Sequence, residues 1–203
     1  MVATRSHDKL LEIRRILADV PDLEVVDLTE AGVAPEAAEE ALEPHETFEE
    51  NALSKARWFH ARTGLPTVAD DSGLEVDALG GAPGVRSKRF APVEGLSGKA
   101  LDEANNRHLL GLLEGVPEAE RGARYVCVAV MVAGEGAPVV CRGEAPGRIL
   151  GEPRGRGGFG YDPLFLDPGL GVTFAQISRE EKNARSHRGR AFRAVAQRLK
   201  QGR

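Results

Sequence analysis

The N-terminal part of the chain alternates short apolar runs with a stretch of helical periodicity. Apolar residues stand at positions 10, 11, 13, 16 and 17, close to the helical period, which predicts a helix over residues 8–17. Short apolar runs over residues 2–4 and 23–28 flank this helix and are typical of strands. The chain is therefore predicted to open as β-α-β, whereas residues 31–46 give no firm assignment.

Capping signals place the next helix. Thr47 stands three residues before Glu50, which is the spacing of a capping box that starts a helix. Gly64 and Pro66 are typical of the end of a helix and the residues beyond it. This helix is therefore predicted to run from Thr47 to about residue 63.

Beyond residue 66 the chain continues with strands, helices and glycine-rich loops. The predicted elements are helices over residues 99–114 and 192–199, a second capping box at residues 178–181, a β-hairpin from residues 125–132 and 138–144 around Gly134, and loops over residues 73–98 and 155–162. The sequence contains no internal repeat, low-complexity tract or evident linker. We therefore predict one α/β domain over residues 1–203.

Composition and charge exclude several classes of partner. The 203 residues include 27 lysines and arginines against 31 acidic residues, for a formal charge of −4. This balance gives no general electrostatic basis for binding duplex nucleic acid, so a bound anion requires local basic groups. The longest apolar run, residues 125–133, is about half of the ~20 residues that a membrane helix needs. Because residues 1–5 also lack the apolar stretch of a signal peptide, we predict a cytoplasmic protein that binds neither nucleic acid nor membrane.

The cysteines and histidines carry no metal-site signature. Cys127 and Cys141 each stand in an apolar segment and are predicted to be buried free thiols, the alternative being a disulfide. The histidines include no pair at a spacing of three or four residues, and no cysteine–histidine group has the spacing of a zinc site. A metal ion, if bound, is therefore predicted to be a hard ion held by carboxylates.

The first candidate site is the turn before the first predicted helix. A helix N-terminus presents free N–H groups and partial positive charge, which attract phosphate. The residues of this turn are Thr4, Arg5, Ser6, His7, Asp8 and Lys9. A plainly capped helix would have the same residues, and the missing glycines exclude a P-loop, so both interpretations stay open here.

The helix after Thr47 offers a second candidate. Asn51 and Lys55 are four residues apart and therefore lie side by side on one helix face. A solvated helix face would show the same pattern. Glu43, just upstream, would by itself be an ordinary surface acid.

The third candidate is the acidic run Asp70-Asp71-Ser72-Gly73, predicted to be a turn at the end of a short apolar strand. Open α/β sheets bind ligands beyond the carboxyl ends of their strands. Paired carboxylates at such a place hold Mg²⁺ through oxygen and orient or deprotonate a water molecule. The alternative is an Asp-Gly turn stabilised by its own side-chain hydrogen bonds.

Two further candidates lie near the C-terminus. Phe159 stands among glycines, which leave its ring exposed for stacking on a nucleobase, although a packed phenylalanine in a turn has the same sequence. Lys182 and the run Ser186-His187-Arg188 supply hydrogen-bond donors for phosphate or base oxygens, unless they are simply solvated.

The order of these segments is more specific than any one of them. The motifs are Thr-x-x-x-x-Lys at 4–9, Thr-Phe-Glu-Glu-Asn-Ala-x-x-Lys-Ala at 47–56, Ala-Asp-Asp-Ser-Gly-Leu at 69–74, Gly-Gly-Ala-Pro-Gly at 80–84, Gly-Gly-Phe-Gly-Tyr-Asp-Pro at 157–163, and Glu-Glu-Lys with Ser-His-Arg-Gly within 180–189. Together they resemble the inosine triphosphate pyrophosphatase family, in its bacterial dITP/XTP branch. The resemblance covers nearly the whole chain, from Thr4 to the last helix.

The resemblance implies a fold and a reaction. The fold would be an elongated α/β domain with a mixed central sheet, flanking helices and two lobes separated by a cleft, and the protein would be a homodimer. The reaction would be Mg²⁺-assisted hydrolysis of a purine nucleoside triphosphate between the α- and β-phosphates, giving the monophosphate and pyrophosphate. The implied substrates are the deaminated purine nucleotides ITP, dITP and XTP, so that the enzyme would cleanse the nucleotide pool.

The resemblance also implies roles for individual residues. The turn from Thr4 to Lys9 would bind the triphosphate, with added positive charge from Lys55. Glu43 and Asp71 would hold the metal ion, Asp71 would also accept the proton of water, and Ser72 would contact substrate. The base-binding wall would consist of Phe159, Gly160, Tyr161, Asp162, Lys182, His187 and Arg188.

One departure from the family pattern affects the phosphate site. The family usually has Gly-Asn after the first threonine, where this chain has Arg5-Ser6. Arg5 brings charge to a position where glycine lets the backbone approach closely, so the phosphate contacts are expected to differ in detail. Two alternatives to the implied function are a pyrophosphatase for modified pyrimidine nucleotides and a regulator that binds nucleotide without hydrolysing it.

Overall fold

A computed structural model describes residues 1–201 of the chain. It contains five α-helices that are joined by loops and short 3₁₀ turns. The helices are α1 (His7–Leu17), α2 (Phe48–Thr63), α3 (Gly98–Leu112), α4 (Arg179–Arg185) and α5 (His187–Gln201). The predicted α/β class is confirmed; residues 202 and 203 of the predicted domain lie outside the described residues.

One sheet of five strands accompanies these helices. Its strands are β1 (Thr67–Val76), β2 (Gly122–Val132), β3 (Val139–Ile149), β4 (Phe165–Asp167) and β5 (Val172–Thr173), and their order in the sheet follows the chain. Strand β4 pairs antiparallel with both β3 and β5. Val2 adds single parallel bridges to Asp27 and Val68, so that parallel and antiparallel pairings both occur.

Local capping decides where the second helix begins and ends. The side chain of Thr47 accepts a hydrogen bond from the backbone N–H of Glu50 at 3.2 Å. Gly64 takes the left-handed conformation with φ 68°, and its N–H donates to the carbonyl of His60. The prediction for this helix is confirmed at both ends. The capping box of Ser178 and Glu181 likewise starts α4 as predicted.

Two predicted elements of the N-terminal part need correction. The run over residues 23–28 is not a strand, since within residues 1–201 its strand pairing is limited to a single bridge between Asp27 and Val2. Its partner segment is cut short, because the chain turns at Ser6 to begin α1 and leaves few residues to pair with. Residues 70–73 are not a turn, because β1 continues through them to Val76. Their local turn preference is overridden by strand pairing.

The last helix also begins earlier than predicted. His187 and Arg188 form its first turn, whereas the sequence pattern predicted them to precede a helix over residues 192–199. Packing explains the early start, because Gly143 of β3 lies directly against the backbone of this first turn. A Cβ atom at Gly143 would come within 2.2 Å of the His187 carbonyl oxygen and 2.5 Å of the Ala191 nitrogen.

The described residues form two compact units. The first comprises residues 1–71, 127–143 and 187–201, and the second comprises residues 72–126 and 144–186. In the first unit α1 packs against α5 around a core that includes Ile13, Leu17, Phe192 and Val195.

The second unit has an aromatic core. The rings of Tyr125 and Phe165 have centroids 4.5 Å apart, and the ring of Phe174 stacks on that of Tyr125 at 6.0 Å. Leu74 and Leu109 complete this core from β1 and α3. Aromatic pairs of this kind add to the free energy gained by burial alone.

The predicted β-hairpin is confirmed as β2 and β3, which are adjacent in the sheet and longer than expected. Cys127 on β2 and Cys141 on β3 are buried free thiols, as predicted. Burial raises the pKa of both thiols, so neither is a ready nucleophile. Within residues 1–201 no helix is both long and apolar enough to cross a membrane.

We expect Gly143→Ala to lower the free energy of unfolding by about 1–3 kcal/mol, because the added methyl group overpacks the contact with the first turn of α5. Urea denaturation monitored by circular dichroism measures this change. Gly136→Ala is the matched control, since its Cβ would meet only a backbone oxygen at 3.8 Å. Equal stability of the two variants would contradict the close approach of β3 and α5.

Candidate active site

The turn before α1 presents hydroxyl groups and one amine. The side chain of Ser6 caps the helix by accepting from the Lys9 N–H, and Thr4 Oγ1 accepts from the Ser6 N–H at 3.2 Å. The Lys9 amine donates to Asp70 Oδ2 at 2.9 Å. His7 is exposed and Asp8 half-buried on the same turn. The predicted phosphate-binding residues are therefore in one place, at the positive end of a helix.

Arg5 has protein partners of its own. Its guanidinium donates through Nε and Nη2 to the carboxylate of Glu39 at 2.9 and 2.6 Å, and through Nη1 to the carbonyl of Val33 at 3.0 Å. The hydrogen bond to Glu39 raises the pKa of Arg5. This side chain therefore ties the turn to residues 33–39.

Asp70 is the most buried acid of the first unit, with 1% of its surface exposed. Besides Lys9 it faces Arg188, whose Nε lies 3.5 Å from Asp70 Oδ2. Burial would raise the pKa of Asp70, but the charges of Lys9, Arg188 and Lys55 outweigh it and hold the pKa well below the usual range. Asp70 is therefore ionised at neutral pH.

Asp71 follows Asp70 on β1 but has a different environment. Its carboxylate accepts a hydrogen bond from the Asn51 side-chain amide at 3.1 Å. Burial raises the pKa of Asp71; Lys9 opposes this effect and the nearby negative charge of Glu43 adds to it. The pKa shifts of the two acids are thus opposite although Lys9 and Lys55 act on both, because Arg188 adds to the lowering at Asp70 and Glu43 to the raising at Asp71.

Glu43 and Lys55 form an ion pair between the segment before α2 and the helix itself. Burial raises the pKa of Glu43, yet the charge of Lys55 outweighs it and leaves that pKa below the usual value. Burial likewise lowers the pKa of Lys55, but Glu43 and Asp70 outweigh it and the net shift is upward. Both groups are therefore charged. We call Lys9, Glu12, Glu43, Lys55, Asp70, Asp71 and Arg188 the acid–base cluster.

Two members of this site carry no individual sequence signal. Glu12 on α1 is buried and accepts from Arg188 Nη1 at 2.6 Å, although its place on the helix resembles that of any other acid. Asn51 exchanges two hydrogen bonds with the backbone of His45, at 2.8 and 3.1 Å, besides binding Asp71. In the sequence, only its position beside Lys55 on the helix face indicated that Asn51 belongs to the site.

Within residues 1–201 no group of three or more histidine, cysteine or acidic side chains is arranged to hold a metal ion. The predicted ligands Glu43 and Asp71 are nevertheless close enough for the charge of Glu43 to raise the pKa of Asp71. Two mutually repelling carboxylates are a donor set that a hard divalent cation fits, since it removes the repulsion.

The second unit holds the other predicted group. We call residues 157–162 the aromatic loop, and Asp162 organises it. Its Oδ2 accepts from the Phe159 N–H at 2.9 Å and from the Lys182 amine at 2.5 Å, and Tyr125 donates to its Oδ1 at 3.3 Å. The Lys182 amine lies 4.3 Å from the centre of the Phe159 ring, a cation–π contact.

The other predicted residues divide between the two units. Tyr161 donates to the carbonyl of Ser87 at 2.8 Å within the second unit, where Ser72 is half-buried. His187 and Arg188 are buried in the first unit, and Arg188 contacts Glu12 and Asp70 there. The contacts of Arg188 are thus with the acid–base cluster, whereas Lys182 belongs with the aromatic loop.

The fold and these groups define a mixed α/β protein whose first strand carries two buried acids beside lysine side chains. Comparison with protein families matches residues 1–198 to the Ham1 family. The chain belongs to the Ham1 family, and the resemblance drawn from the motifs is thereby confirmed.

Several relatives match over almost their whole length. The chain is 51% identical over 195 residues to a dITP/XTP pyrophosphatase of Nocardia farcinica, covering 95% of this chain and 90% of the relative. It is 52% identical over 198 residues to one of Mycolicibacterium paratuberculosis, covering 96% and 92%. Among solved structures, a HAM1 protein from Coxiella burnetii matches with a TM-score of 0.85 at 37% identity, covering 98% of this chain and 97% of that one.

We expect Asp70→Asn to destabilise the fold by about 3–5 kcal/mol at pH 7, because it leaves buried positive charge without its partner. Asp70 contributes stability above its unfolded pKa of about 4, and this contribution is lost as the pH falls toward the lower folded pKa. The difference between wild type and variant should therefore be constant above about pH 5 and shrink at lower pH.

Urea denaturation at several pH values measures this difference, with the exposed Asp19→Asn as the matched control. A difference that grows on acidification would show that Asp70 is not the paired acid described above.

Proposed function

We propose that the protein hydrolyses deaminated purine nucleoside triphosphates, dITP, ITP and XTP, to the monophosphate and pyrophosphate. The observation that carries this proposal is the pair of consecutive buried acids on β1, which accept hydrogen bonds from Lys9 and from Asn51. Nearly full-length relatives named dITP/XTP pyrophosphatases support the choice of substrate.

The phosphate end of the substrate belongs with the first unit. Lys9 and Lys55 supply positive charge, and the hydroxyls and free N–H groups at the start of α1 supply hydrogen bonds. Arg5 adds a further positive charge when its guanidinium binds phosphate in place of the Glu39 carboxylate. Asp70 holds the amine of Lys9 in place and stays ionised, which makes it a supporting acid.

Asp71 is the proposed general base. Its carboxylate lies near Lys9 and Lys55, the lysines assigned to phosphate, where it can accept the proton of an attacking water. A water oxygen attacks the α-phosphorus, its proton passes to Asp71, and the bridging oxygen leaves with pyrophosphate. Asn51 orients the carboxylate for this transfer through its hydrogen bond.

Glu43 and Asp71 are the proposed ligands of Mg²⁺. When bound, this ion neutralises phosphate charge and favours departure of the pyrophosphate. Lys55 keeps Glu43 ionised, as a magnesium ligand must be, through the ion pair described above.

The nucleobase belongs with the aromatic loop. Phe159 is the proposed stacking platform, and Lys182 is a donor for the 6-oxygen that hypoxanthine and xanthine share. Adenine carries an amino donor at that position and would place a donor against the donating lysine. The remaining proposed substrate contacts are Ser72, Gly160, Tyr161, Asp162, His187 and Arg188.

The primary test is a panel of triphosphates with Mg²⁺: dITP, ITP, XTP, dATP, dGTP and modified pyrimidine nucleotides. We expect pyrophosphate as the first product, preference for the deaminated purines, and loss of turnover when EDTA removes the metal ion. Orthophosphate as the first product would refute the proposed cleavage. Equal use of modified pyrimidines would indicate the related pyrophosphatase, and binding without turnover would indicate a regulator.

A second prediction concerns Asp71→Asn, which keeps the shape of the side chain but removes its charge and basicity. We expect kcat/KM for dITP to fall by at least about 10³, because loss of a general base alone costs roughly 10²–10⁴. Asp19→Asn, on the surface of the same unit, should retain full activity. A tenth of wild-type activity in Asp71→Asn at saturating Mg²⁺, with the fold intact by circular dichroism, would contradict the assignment.

The homodimer implied by the family resemblance remains a prediction, which sedimentation equilibrium of the purified protein checks.

A further inference from the structure

Two side chains of α3 hold the backbone of the aromatic loop from outside it. Asp102 Oδ2 accepts from the N–H of Gly160 at 2.8 Å, and the Asn106 side-chain amide donates to the carbonyl of Gly160 at 3.0 Å. Asp102 and Asn106 are four residues apart, so they lie on one face of α3. Both polar backbone groups of a single glycine are therefore bound by neighbouring turns of one helix.

Gly160 directly follows Phe159, so these contacts also restrict the position of the Phe159 ring. The N–H on one side of the Phe159 Cα is bound to Asp162 at 2.9 Å, and the N–H on its other side, that of Gly160, is bound to Asp102 at 2.8 Å. Each acceptor is a carboxylate, and such charge-assisted bonds are about twice as strong as neutral ones. The two peptide planes that determine where the phenyl ring is placed are thus fixed independently.

The loop needs such external support. Gly160 adopts a left-handed conformation with φ 62°, as does Gly158 with φ 70°, and glycine loses the most conformational entropy when it is ordered. Asp162 alone serves three donors, from Phe159, Lys182 and Tyr125. Removing the bonds from α3 would leave both polar backbone groups of Gly160 without these partners, while Asp162 still binds the Phe159 N–H and the lysine.

We infer that Asp102 and Asn106 are positioning residues for the nucleobase, which act through Gly160 to hold the Phe159 ring ready for stacking. This inference rests on the proposed function, in which Phe159 and Lys182 bind the nucleobase. It assigns part of the affinity for the nucleobase to α3, a helix outside the aromatic loop. A preorganised ring binds more tightly because its ordering cost is met before the ligand arrives. The residues proposed to bind phosphate are held by other hydrogen bonds, so we expect phosphate binding to be independent of Asp102 and Asn106.

The test compares Asp102→Ala, Asp102→Asn and Asn106→Ala with Glu103→Ala, an exposed neighbour on α3. Steady-state kinetics with dITP give KM and kcat, and competition gives inhibition constants for dIMP and for pyrophosphate. We expect Asp102→Ala to raise KM for dITP and the inhibition constant of dIMP by about fivefold or more, with kcat within about twofold. Pyrophosphate inhibition and the Glu103→Ala control should match wild type.

The conservative variant separates positioning from mere structural support. Asp102→Asn keeps an oxygen acceptor for the Gly160 N–H and loses only the charge, so its KM should lie between those of wild type and Asp102→Ala. Unchanged KM for dITP and unchanged dIMP inhibition in Asp102→Ala would overturn the inference. Equal weakening of dIMP and pyrophosphate would also overturn it, because the effect would then not be confined to the base.

Amide hydrogen exchange gives a readout that needs no substrate. The N–H groups of Phe159 and Gly160 should exchange faster in Asp102→Ala than in wild type, while the melting temperature and the exchange of α5 stay unchanged. Unaltered exchange at these two amides would refute positioning by α3. A wild-type protein that releases no pyrophosphate from dITP would instead refute the proposed function, so the two failures are distinguishable.

Discussion

The first unit depends on one buried carboxylate. Asp70 lies on β1, yet its charge is balanced by Lys9 from α1 and Arg188 from α5, and Arg188 is in turn held by Glu12 of α1. A buried charge is tolerated only when its partners are fixed, so this network sets the relation between one strand and two helices. In the same unit α5 packs on Gly143, and α1 packs on α5 through an apolar core.

The same network also gives two acids that are adjacent in sequence opposite pKa shifts. Lys9, Arg188 and Lys55 outweigh burial and hold the pKa of Asp70 low, whereas at Asp71 burial and the charge of Glu43 outweigh Lys9, Lys55 and the Asn51 hydrogen bond and raise the pKa. The second unit shows the same principle on a smaller scale. Asp162 of the aromatic loop balances the charge of Lys182, and both side chains are buried.

The parts of the fold that local chemistry specifies were predictable from the sequence. The helix after Thr47 has its own cap and stop signals, and the hairpin of β2 and β3 has apolar strands with a glycine turn between them. The predictions were wrong where strand formation depends on a pairing partner elsewhere in the chain. Residues 23–28 lack a partner long enough to form a strand, and residues 70–73 belong to β1 despite their turn preference. The roles of Glu12 and Asn51 depend on contacts with residues distant in sequence, which no local pattern encodes.

The sequence by itself determined the α/β class, the helix boundaries set by caps, the burial of the thiols and, through the order of its motifs, membership of the Ham1 family. These follow from periodicity, capping geometry and motif spacing, which are properties of neighbouring residues. Only the tertiary structure decided which of the two acids has a lowered and which a raised pKa, which partners Arg5 and Arg188 take, and how α3 binds Gly160. Proton affinity and side-chain partnership depend on burial and on charges brought together from separate segments, and these exist only once the chain has folded.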